Sequence, residues 1–173
     1  MADAKSNITL IGMPGAGKST IGVILAKKLA LGFVDTDLLI QTSRGESLQS
    51  LLERRGHLGL RRIEEEEILR LDVRRHVIAT GGSAAYSDRA MRHLAASSRI
   101  VFLQVGYDDL LARIHDFESR GIAKAPNQSF QELFAERQVL YERWAEITVH
   151  CAGLNQDEVA ERVAAEAAVG VSR

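Results

Sequence analysis

The stretch Gly12-Met13-Pro14-Gly15-Ala16-Gly17-Lys18-Ser19-Thr20 fits the phosphate-loop pattern G-x-x-x-x-G-K-[ST], with Gly12, Gly17, Lys18 and Ser19 at the fixed positions. Glycines let successive backbone N–H groups turn inward around an anion, and the helix that follows adds its positive N-terminal end. In this pattern the lysine reaches the outer phosphates and the hydroxyl binds Mg²⁺. The stretch therefore predicts a nucleotide-dependent enzyme. The alternative is a glycine-rich turn that starts a helix and binds nothing.

This stretch stands between a predicted strand and a predicted helix. Residues 8–11 are apolar and β-branched, which is typical of a buried strand, and residues 20–29 repeat apolar side chains at helical spacing. Further strands are predicted at residues 32–35, 76–80, 99–103 and 147–150, and further helices at 37–41, 48–55, 58–71, 88–96, 107–115, 130–145 and 157–168. This alternation predicts an α/β fold of three layers, α/β/α, around a central five-stranded parallel sheet. We expect the nucleotide at the carboxyl end of the first strand.

Composition limits the class of protein. The length of 173 residues suits one domain with a sizeable core, so we expect a single domain over residues 1–173. The net charge of -1 provides no general field for nucleic acid or an acidic membrane surface. The single cysteine, Cys151, excludes an intrachain disulfide and a multi-cysteine metal site. No apolar run approaches the ~20 residues that span a bilayer, and the polar N-terminus is unlike a signal peptide. We therefore expect a cytoplasmic monomer.

Two acids, Asp35 and Asp37, flank Thr36 at the end of the second predicted strand. Ligands of open α/β sheets bind at the carboxyl ends of strands. One carboxylate there can hold Mg²⁺, while the other can accept the proton of an acceptor hydroxyl. The alternative is that Asp37 caps a helix and Asp35 is a turn acid. The preceding phosphate loop favours the catalytic interpretation.

Two further features allow both a structural and a functional interpretation. Arg61 with Glu65, and Arg62 with Glu66, have the i, i+4 spacing of exposed ion pairs on a helix. An anionic acceptor nevertheless needs a planar, permanently charged fork, which an arginine here supplies. Residues 81–82 are two glycines that form either a plain turn or a wall against which a small substrate lies. The sequence leaves these alternatives open.

A polar segment at residues 117–129, broken by Gly121, is predicted to be a mobile loop. Arg120 lies in this loop, where closure would bring its charge to the transferring phosphoryl group and exclude water. Arg113 and Arg137 flank the loop. The alternative for all three arginines is a solvated position on the surface.

The ordered combination of these features resembles the shikimate kinases, small relatives of the nucleoside monophosphate kinases. The resemblance spans nearly the whole chain. It rests on the phosphate loop, Asp35-Thr36-Asp37, Leu60-Arg61-Arg62-Ile63-Glu64-Glu65, Gly81-Gly82, Arg120, and Glu136-Arg137 ahead of Leu140-Tyr141. It implies ATP as donor, Mg²⁺ as cofactor and the 3-hydroxyl of shikimate as acceptor. It also implies substrate-binding helices at about residues 37–71 and a lid at about 117–129.

The resemblance further implies a role for individual residues. The residues with a catalytic role would be Lys18, Asp37 and Arg120, of which Asp37 would orient and deprotonate the acceptor hydroxyl. The residues supporting Mg²⁺ would be Ser19 and Asp35. The acceptor would contact Asp37, Arg61, Gly82 and Arg137, with both arginines on its carboxylate. The nucleotide would contact Gly15, Ala16, Gly17, Lys18, Ser19, Thr20, Arg113 and Arg120, with Arg113 on the adenine.

Three positions depart from the family pattern. Ser83 stands where a third glycine is usual, residues 121–123 read Gly-Ile-Ala in place of Pro-Leu-Leu, and Val139 replaces a proline. All three lie on the side predicted to face the acceptor or the lid, where a kinase of changed specificity would differ. Two alternatives to a shikimate kinase therefore remain. One is a kinase of another hydroxy acid or sugar acid, and the other is a nucleotide-binding regulatory module without catalysis.

Overall fold

The computed structural model describes residues 5–115 and 120–168. Its strands are β1 Asn7–Ile11, β2 Gly32–Asp35, β3 His76–Ala79, β4 Ser98–Gln104 and β5 Ile147–His150. They form one sheet in the order β2-β3-β1-β4-β5, and all neighbouring strands are parallel. The predicted five-stranded parallel sheet is confirmed.

Helices connect the strands. They are α1 Lys18–Leu29, α2 Thr36–Arg44, α3 Leu48–Leu69, α4 Asp88–Ser97, α5 Tyr107–Arg113, α6 Phe130–Trp144 and α7 Gln156–Ala168, with a one-turn 3-10 helix at Ala84–Tyr86. None of these helices, within the ranges given above, combines the length and apolar character needed to span a bilayer.

The core lies on both faces of the sheet. All five residues of β1 are buried, and so are residues 100–103 in the middle of β4. Since successive side chains of a strand point to opposite faces, both faces must be covered. Helix α1 packs against α7, and α3 packs against α4. The sheet is therefore the middle one of three layers.

Side-chain caps fix where helices begin at the carboxyl edge of the sheet. Asp35, the last residue of β2, accepts hydrogen bonds from the backbone N–H groups of Asp37 at 3.0 Å and Leu38 at 3.2 Å, and so starts α2. The hydroxyl of Thr36 accepts a hydrogen bond from the N–H of Gly81 at 3.1 Å. This bond joins the end of β3 to the start of α2, which brings two separate segments of the chain together at one edge.

The observed element ends differ from the predicted ones by a few residues. Helix α1 begins at Lys18, two residues before the predicted start, because the loop passes directly into the helix. Helix α2 is longer at both ends than predicted, and α5 is two residues shorter at its C-terminal end. The two helices predicted at 48–55 and 58–71 form one element, α3, interrupted at Gly56 with φ 69° and ψ 174°. The sequence located this interruption correctly.

Candidate active site

The phosphate loop between β1 and α1 encloses its lysine. Gly15 and Gly17 have φ of 83° and 93°, which side chains other than glycine rarely adopt. Lys18 is buried, and its Nζ donates hydrogen bonds to the backbone oxygens of Gly12 at 2.7 Å and Met13 at 2.8 Å. Burial lowers the pKa of Lys18 to about 8. The ammonium group is therefore fixed inside the loop, where a polyphosphate is the complementary ligand.

Two oxygen-bearing side chains meet beside the loop. The hydroxyl of Ser19, in the first turn of α1, donates to Oδ2 of Asp35 at 2.5 Å. The other carboxylate oxygen of Asp35 caps α2. A hydroxyl and a carboxylate so placed form a pair of oxygen ligands of the kind that Mg²⁺ prefers.

A cavity of about 580 Å³ extends from the phosphate loop to helix α6. Its lining contains the loop, the residues that follow β3, and parts of α2, α3, α5 and α6. The lining residues that carry the argument are Lys18, Asp37, Glu64, Gly82, Ser83 and Arg137. They come from five places in the sequence, and the fold alone brings them together.

Gly81 and Gly82 allow charged side chains to approach the end of β3. A Cβ on Gly81 would lie 2.4 Å from Oε1 of Glu64 and 2.6 Å from Oδ1 of Asp37. A Cβ on Gly82 would lie 2.5 Å from Nη1 of Arg137. At these distances a Cβ on either glycine would displace one of the three charged groups, so the glycine pair gives them room at the end of β3.

The charges at this wall balance and perturb one another. Glu64 is 4% and Arg137 1% exposed, and Asp37 lies half-buried between Glu64 and Lys18. Burial raises the pKa of Asp37 to about 6, although the positive charge of Lys18 opposes this shift. Burial together with the negative charge of Asp37 raises the pKa of Glu64 to about 7. Both carboxyl groups therefore titrate nearer to neutrality than free carboxyl groups do.

Ser83 takes part in this cluster through its hydroxyl, which donates to Oε2 of Glu64. Its φ of -100° and ψ of -1° are open to any residue, so serine at this position brings no backbone strain. The hydrogen bond from Ser83 lowers the pKa of Glu64, against the larger effect of burial. The departure from three glycines thus adds a polar contact to the wall of the cavity.

Arg137 on α6 is held by its surroundings. Its Nη2 donates to the backbone oxygen of Ala123 at 2.7 Å. One turn further along α6, the hydroxyl of Tyr141 donates to the backbone oxygen of Gly82 at 2.6 Å. Helix α6 is therefore attached to the glycine wall, and the Arg137 guanidinium faces the cavity from a fixed base.

The remaining residues that were predicted to contact the nucleotide differ in their burial and in their partners. Arg113 and Arg120 are exposed and line the cavity, with Nη1 of Arg113 donating to the backbone oxygen of Gly15 at 3.5 Å. Ala16 is buried, and its N–H donates to the backbone oxygen of Met13 at 3.1 Å. In the predicted mobile loop, residues 117–119 lie outside the described residues.

Arg61 lies beside this cavity, in a neighbouring groove of about 310 Å³. Its guanidinium carbon stands 3.5 Å from the centre of the Tyr86 ring. Ser83 lines both the groove and the larger cavity. The sequence predicted that Glu65 and Glu66 pair with arginines on α3. The structure gives both acids partners outside α3: Glu65 accepts hydrogen bonds from Ser87 and Arg89, and Glu66 pairs with Arg44.

Comparison with known proteins shows which family this chain is similar to. The shikimate kinase family model matches residues 14–168. The chain is 34% identical over 163 residues to the shikimate kinase of Thermodesulfovibrio yellowstonii, covering 92% of this chain and 94% of the relative. Shikimate kinase from Acinetobacter baumannii, solved in complex with shikimate, superposes with a TM-score of 0.88 at 26% identity, covering 97% of this chain and 96% of that one.

The chain belongs to the shikimate kinase family. It is an ATP-dependent kinase, as the resemblance implied, and the predicted family and enzyme class are confirmed. The shikimate kinase from Aquifex aeolicus has a TM-score of 0.79 at 29% identity and covers 94% of this chain. A gluconokinase from Sinorhizobium meliloti reaches a TM-score of 0.52 at 17% identity and shares the fold alone.

In this family member, Glu64 lines the cavity, although no motif of the sequence assigned it a role. It lies in the run Glu64-Glu65-Glu66-Glu67, which is typical of a solvated helix face. The sequence nevertheless contained an indication that Glu64 is buried. It is four residues from Leu60 and four from Ile68, and both of these residues are buried. Helical spacing alone therefore places Glu64 on the buried face of α3.

Proposed function

We propose that this kinase transfers the γ-phosphoryl group of ATP to the 3-hydroxyl of shikimate and forms shikimate 3-phosphate. One observation carries the proposal: a single cavity joins the phosphate loop to a wall that contains Asp37, Gly82 and Arg137. Phosphoryl transfer depends mainly on positioning and on neutralising charge, so donor and acceptor must share one enclosed space. The related structure that holds shikimate has the same fold over nearly its whole length.

At the donor end, we assign the phosphates to the loop and α1. The contacts would come from Gly15, Ala16, Gly17, Lys18, Ser19 and Thr20, with Arg113 on the adenine and Arg120 near the transferring group. Lys18 supports this assignment, because its ammonium group is buried and donates to two backbone oxygens of the loop. Phosphate oxygens offer stronger acceptors than these carbonyls, and their negative charge favours the charged lysine.

Ser19 and Asp35 fit a magnesium ion. Mg²⁺ binds through one or two protein oxygens together with phosphates and water, and these two side chains are in direct hydrogen-bond contact. The described residues hold no cluster of three or more His, Cys, Asp or Glu side chains that would form a separate metal cage. When bound, the ion neutralises charge on the phosphate oxygens.

At the acceptor end, Asp37 orients the hydroxyl and accepts its proton. Burial raises the pKa of Asp37 to about 6, which makes the carboxylate a better base than a free aspartate while it stays mostly ionised at neutral pH. Arg137 and Arg61 bind the carboxylate of the acceptor, and Gly82 borders its ring. The missing Cβ of Gly82 leaves room for Arg137, so the ring and the guanidinium occupy adjacent space.

We extend the proposal to the rest of the chain. Residues 37–71 serve as the substrate-binding helices and residues 117–129 as a lid within a single cytoplasmic domain that acts as a monomer. The described part of the lid supports this role, because Ile122 and Ala123 are buried and line the cavity. The N–H of Gly121 donates to Oε1 of Gln49 at 3.0 Å, which attaches the lid to α3.

The test is ATP consumption with and without shikimate, followed by mass analysis of the product. We expect ADP release that depends on shikimate and a product heavier by one phosphoryl group. A panel of related hydroxy acids and sugar acids is measured in parallel, because the Ser83 contact alters the acceptor wall. A higher kcat/KM for another member of the panel would replace shikimate as the acceptor. Nucleotide binding without turnover of any acceptor would favour the regulatory module.

A further inference from the structure

Tyr86 lies where three elements of the acceptor end meet. It closes the 3-10 helix that follows Ser83, and its ring is half-buried. The guanidinium carbon of Arg61, on α3, stands 3.5 Å from the ring centre, and that of Arg137, on α6, stands 5.5 Å from it. The hydrogen bond to Ala123 holds Arg137, but the contacts described above do not explain how Arg61 is held beside it.

The hydroxyl of Tyr86 fixes the ring. It donates a hydrogen bond to the carboxylate of Glu136, the residue next to Arg137. The ring therefore cannot turn away from the arginines without breaking a bond to α6. A ring fixed in this way presents its electron-rich face to both guanidinium groups.

Two like charges at close range need a compensating partner. Burial, together with the nearby positive charge of Arg137, lowers the pKa of Arg61. The Tyr86 ring offsets part of this repulsion through its negative face. A guanidinium group over a ring face keeps its N–H donors free at the edge. In the part of the chain that the structure describes, Nε of Arg61 and Nε of Arg137 are both buried without a hydrogen-bond partner.

We propose that Tyr86 is a positioning residue for the acceptor, whose ring holds Arg61 and Arg137 side by side so that one anionic group binds both guanidinium groups. This inference rests on the proposed function, because the anionic group is the carboxylate of the acceptor. It adds a residue outside the motifs of the sequence. Ser83, which lines both the groove of Arg61 and the main cavity, marks where the two spaces adjoin.

The test compares Tyr86→Phe, which keeps the ring, with Tyr86→Leu, which removes it. The readouts are the Kd of shikimate in the presence of ADP, measured by calorimetry, the KM of ATP, and the melting temperature. We expect Tyr86→Leu to weaken shikimate binding about 3- to 30-fold, the range of one cation–π contact. Tyr86→Phe keeps the ring but loses the bond to Glu136, so it should weaken shikimate binding less than Tyr86→Leu does, and the KM of ATP should be unchanged in both variants.

Two controls separate positioning from a general loss of structure. Tyr107 makes its ring contacts with Phe130 and Phe134, so Tyr107→Leu should leave the Kd of shikimate unchanged. In an Arg61→Ala background, Tyr86→Leu should have a smaller effect than in wild type, because one of the two groups it positions is gone. If Tyr86→Leu does not fold, Tyr86→Met provides the ring-free variant.

A ligand-free crystal structure of Tyr86→Leu distinguishes this inference from the proposed function. We expect the Arg61 guanidinium to be ordered in wild type and to lose its fixed position in the variant. An equally ordered Arg61 without the ring, or an unchanged Kd, overturns the inference. A wild-type protein that orders Arg61 on Tyr86 but does not bind shikimate overturns the acceptor assignment and leaves the positioning of Arg61 by Tyr86 supported.

Discussion

The two ends of the cavity are built differently. The phosphate end consists of consecutive residues that use their backbone, and its buried charge, Lys18, is satisfied by two carbonyl oxygens of the same loop. The acceptor end consists of side chains from α2, α3 and α6 that meet at two glycines. There, within the described residues, Oε1 of Glu64 and Nε of Arg137 have no hydrogen-bond partner. The phosphate end is complete without a ligand, whereas the acceptor end leaves polar atoms for a ligand to satisfy.

This difference predicts that substitutions at the two ends will affect different measured properties. Changes at the phosphate end should act mainly on the transition state, because the local structure does not depend on the ligand. Changes at the acceptor end should alter binding of one substrate, and they should also alter stability, because buried charges there are coupled to one another.

The largest effects are expected where one residue from each end meets the transferring group. Lys18→Ala and Asp37→Asn should each reduce kcat by roughly 10²-fold or more, since both residues act chiefly on the transition state. The melting temperature should change little in Lys18→Ala, whereas Asp37→Asn should shift it, because Asp37 belongs to the coupled charges of the acceptor end. The measurement is steady-state turnover of ATP with shikimate, beside a thermal melt of each variant.

Lys27, an exposed lysine on the same helix as Lys18, provides the matched control. Lys27→Ala should retain wild-type turnover. Near-normal turnover in Asp37→Asn would remove Asp37 from the role of base. It would also sharpen the contrast between the two ends, because only the phosphate end would then contribute to the chemical step.

A smaller effect concerns stability at the acceptor end. Burial and Asp37 raise the pKa of Glu64 from an ordinary 4.5 to about 7 in the folded protein. Between these two values the folded protein binds more protons than the unfolded chain, so stability falls as the pH rises through this window. In Glu64→Gln the side chain cannot titrate, so this variant does not lose stability in this way as the pH rises. From pH 4.5 to pH 8, wild type should therefore lose about 1–3 kcal/mol of unfolding free energy relative to Glu64→Gln.

Urea unfolding of both proteins at pH 4.5, 6 and 8 measures this difference. Glu65, the neighbour of Glu64 on the more exposed side of α3, provides the control, and Glu65→Gln should follow wild type across the range. A constant difference between wild type and Glu64→Gln at all three pH values would mean that the Glu64 carboxyl has an ordinary pKa in the folded protein.

The same contrast explains how far the sequence predicts this structure. The phosphate end is contiguous, so its spacing specified the strand, the loop and the helix, and the alternating pattern specified the five-stranded sheet. The acceptor end is assembled by the fold. The meeting of Glu64, Asp37 and Gly81 depends on how α3 crosses the sheet, which local spacing does not encode. Tyr86 carried no motif, since its role arises only from two arginines that are 76 positions apart in the sequence.

The smallest effect is expected at Ser83, where this chain departs from the three glycines of its family. Its hydroxyl donates to Glu64, and its negative φ means that glycine would relieve no strain. Ser83→Gly therefore removes one hydrogen bond to a carboxylate, which corresponds to about a 2- to 10-fold change in kcat/KM for the acceptor. The KM of ATP should stay within about 2-fold, because the contact belongs to the acceptor end alone.

The comparison is made on shikimate and on a panel of related hydroxy acids, with wild type and Ser83→Gly side by side. Glu64→Gln serves as the second background, in which Ser83→Gly should have less effect, because the carboxylate that accepts the hydrogen bond is absent. Identical acceptor profiles for wild type and Ser83→Gly would show that the hydroxyl orders Glu64 without affecting the acceptor. The departure from the family pattern would then be a feature of the buried charge cluster and not of substrate choice.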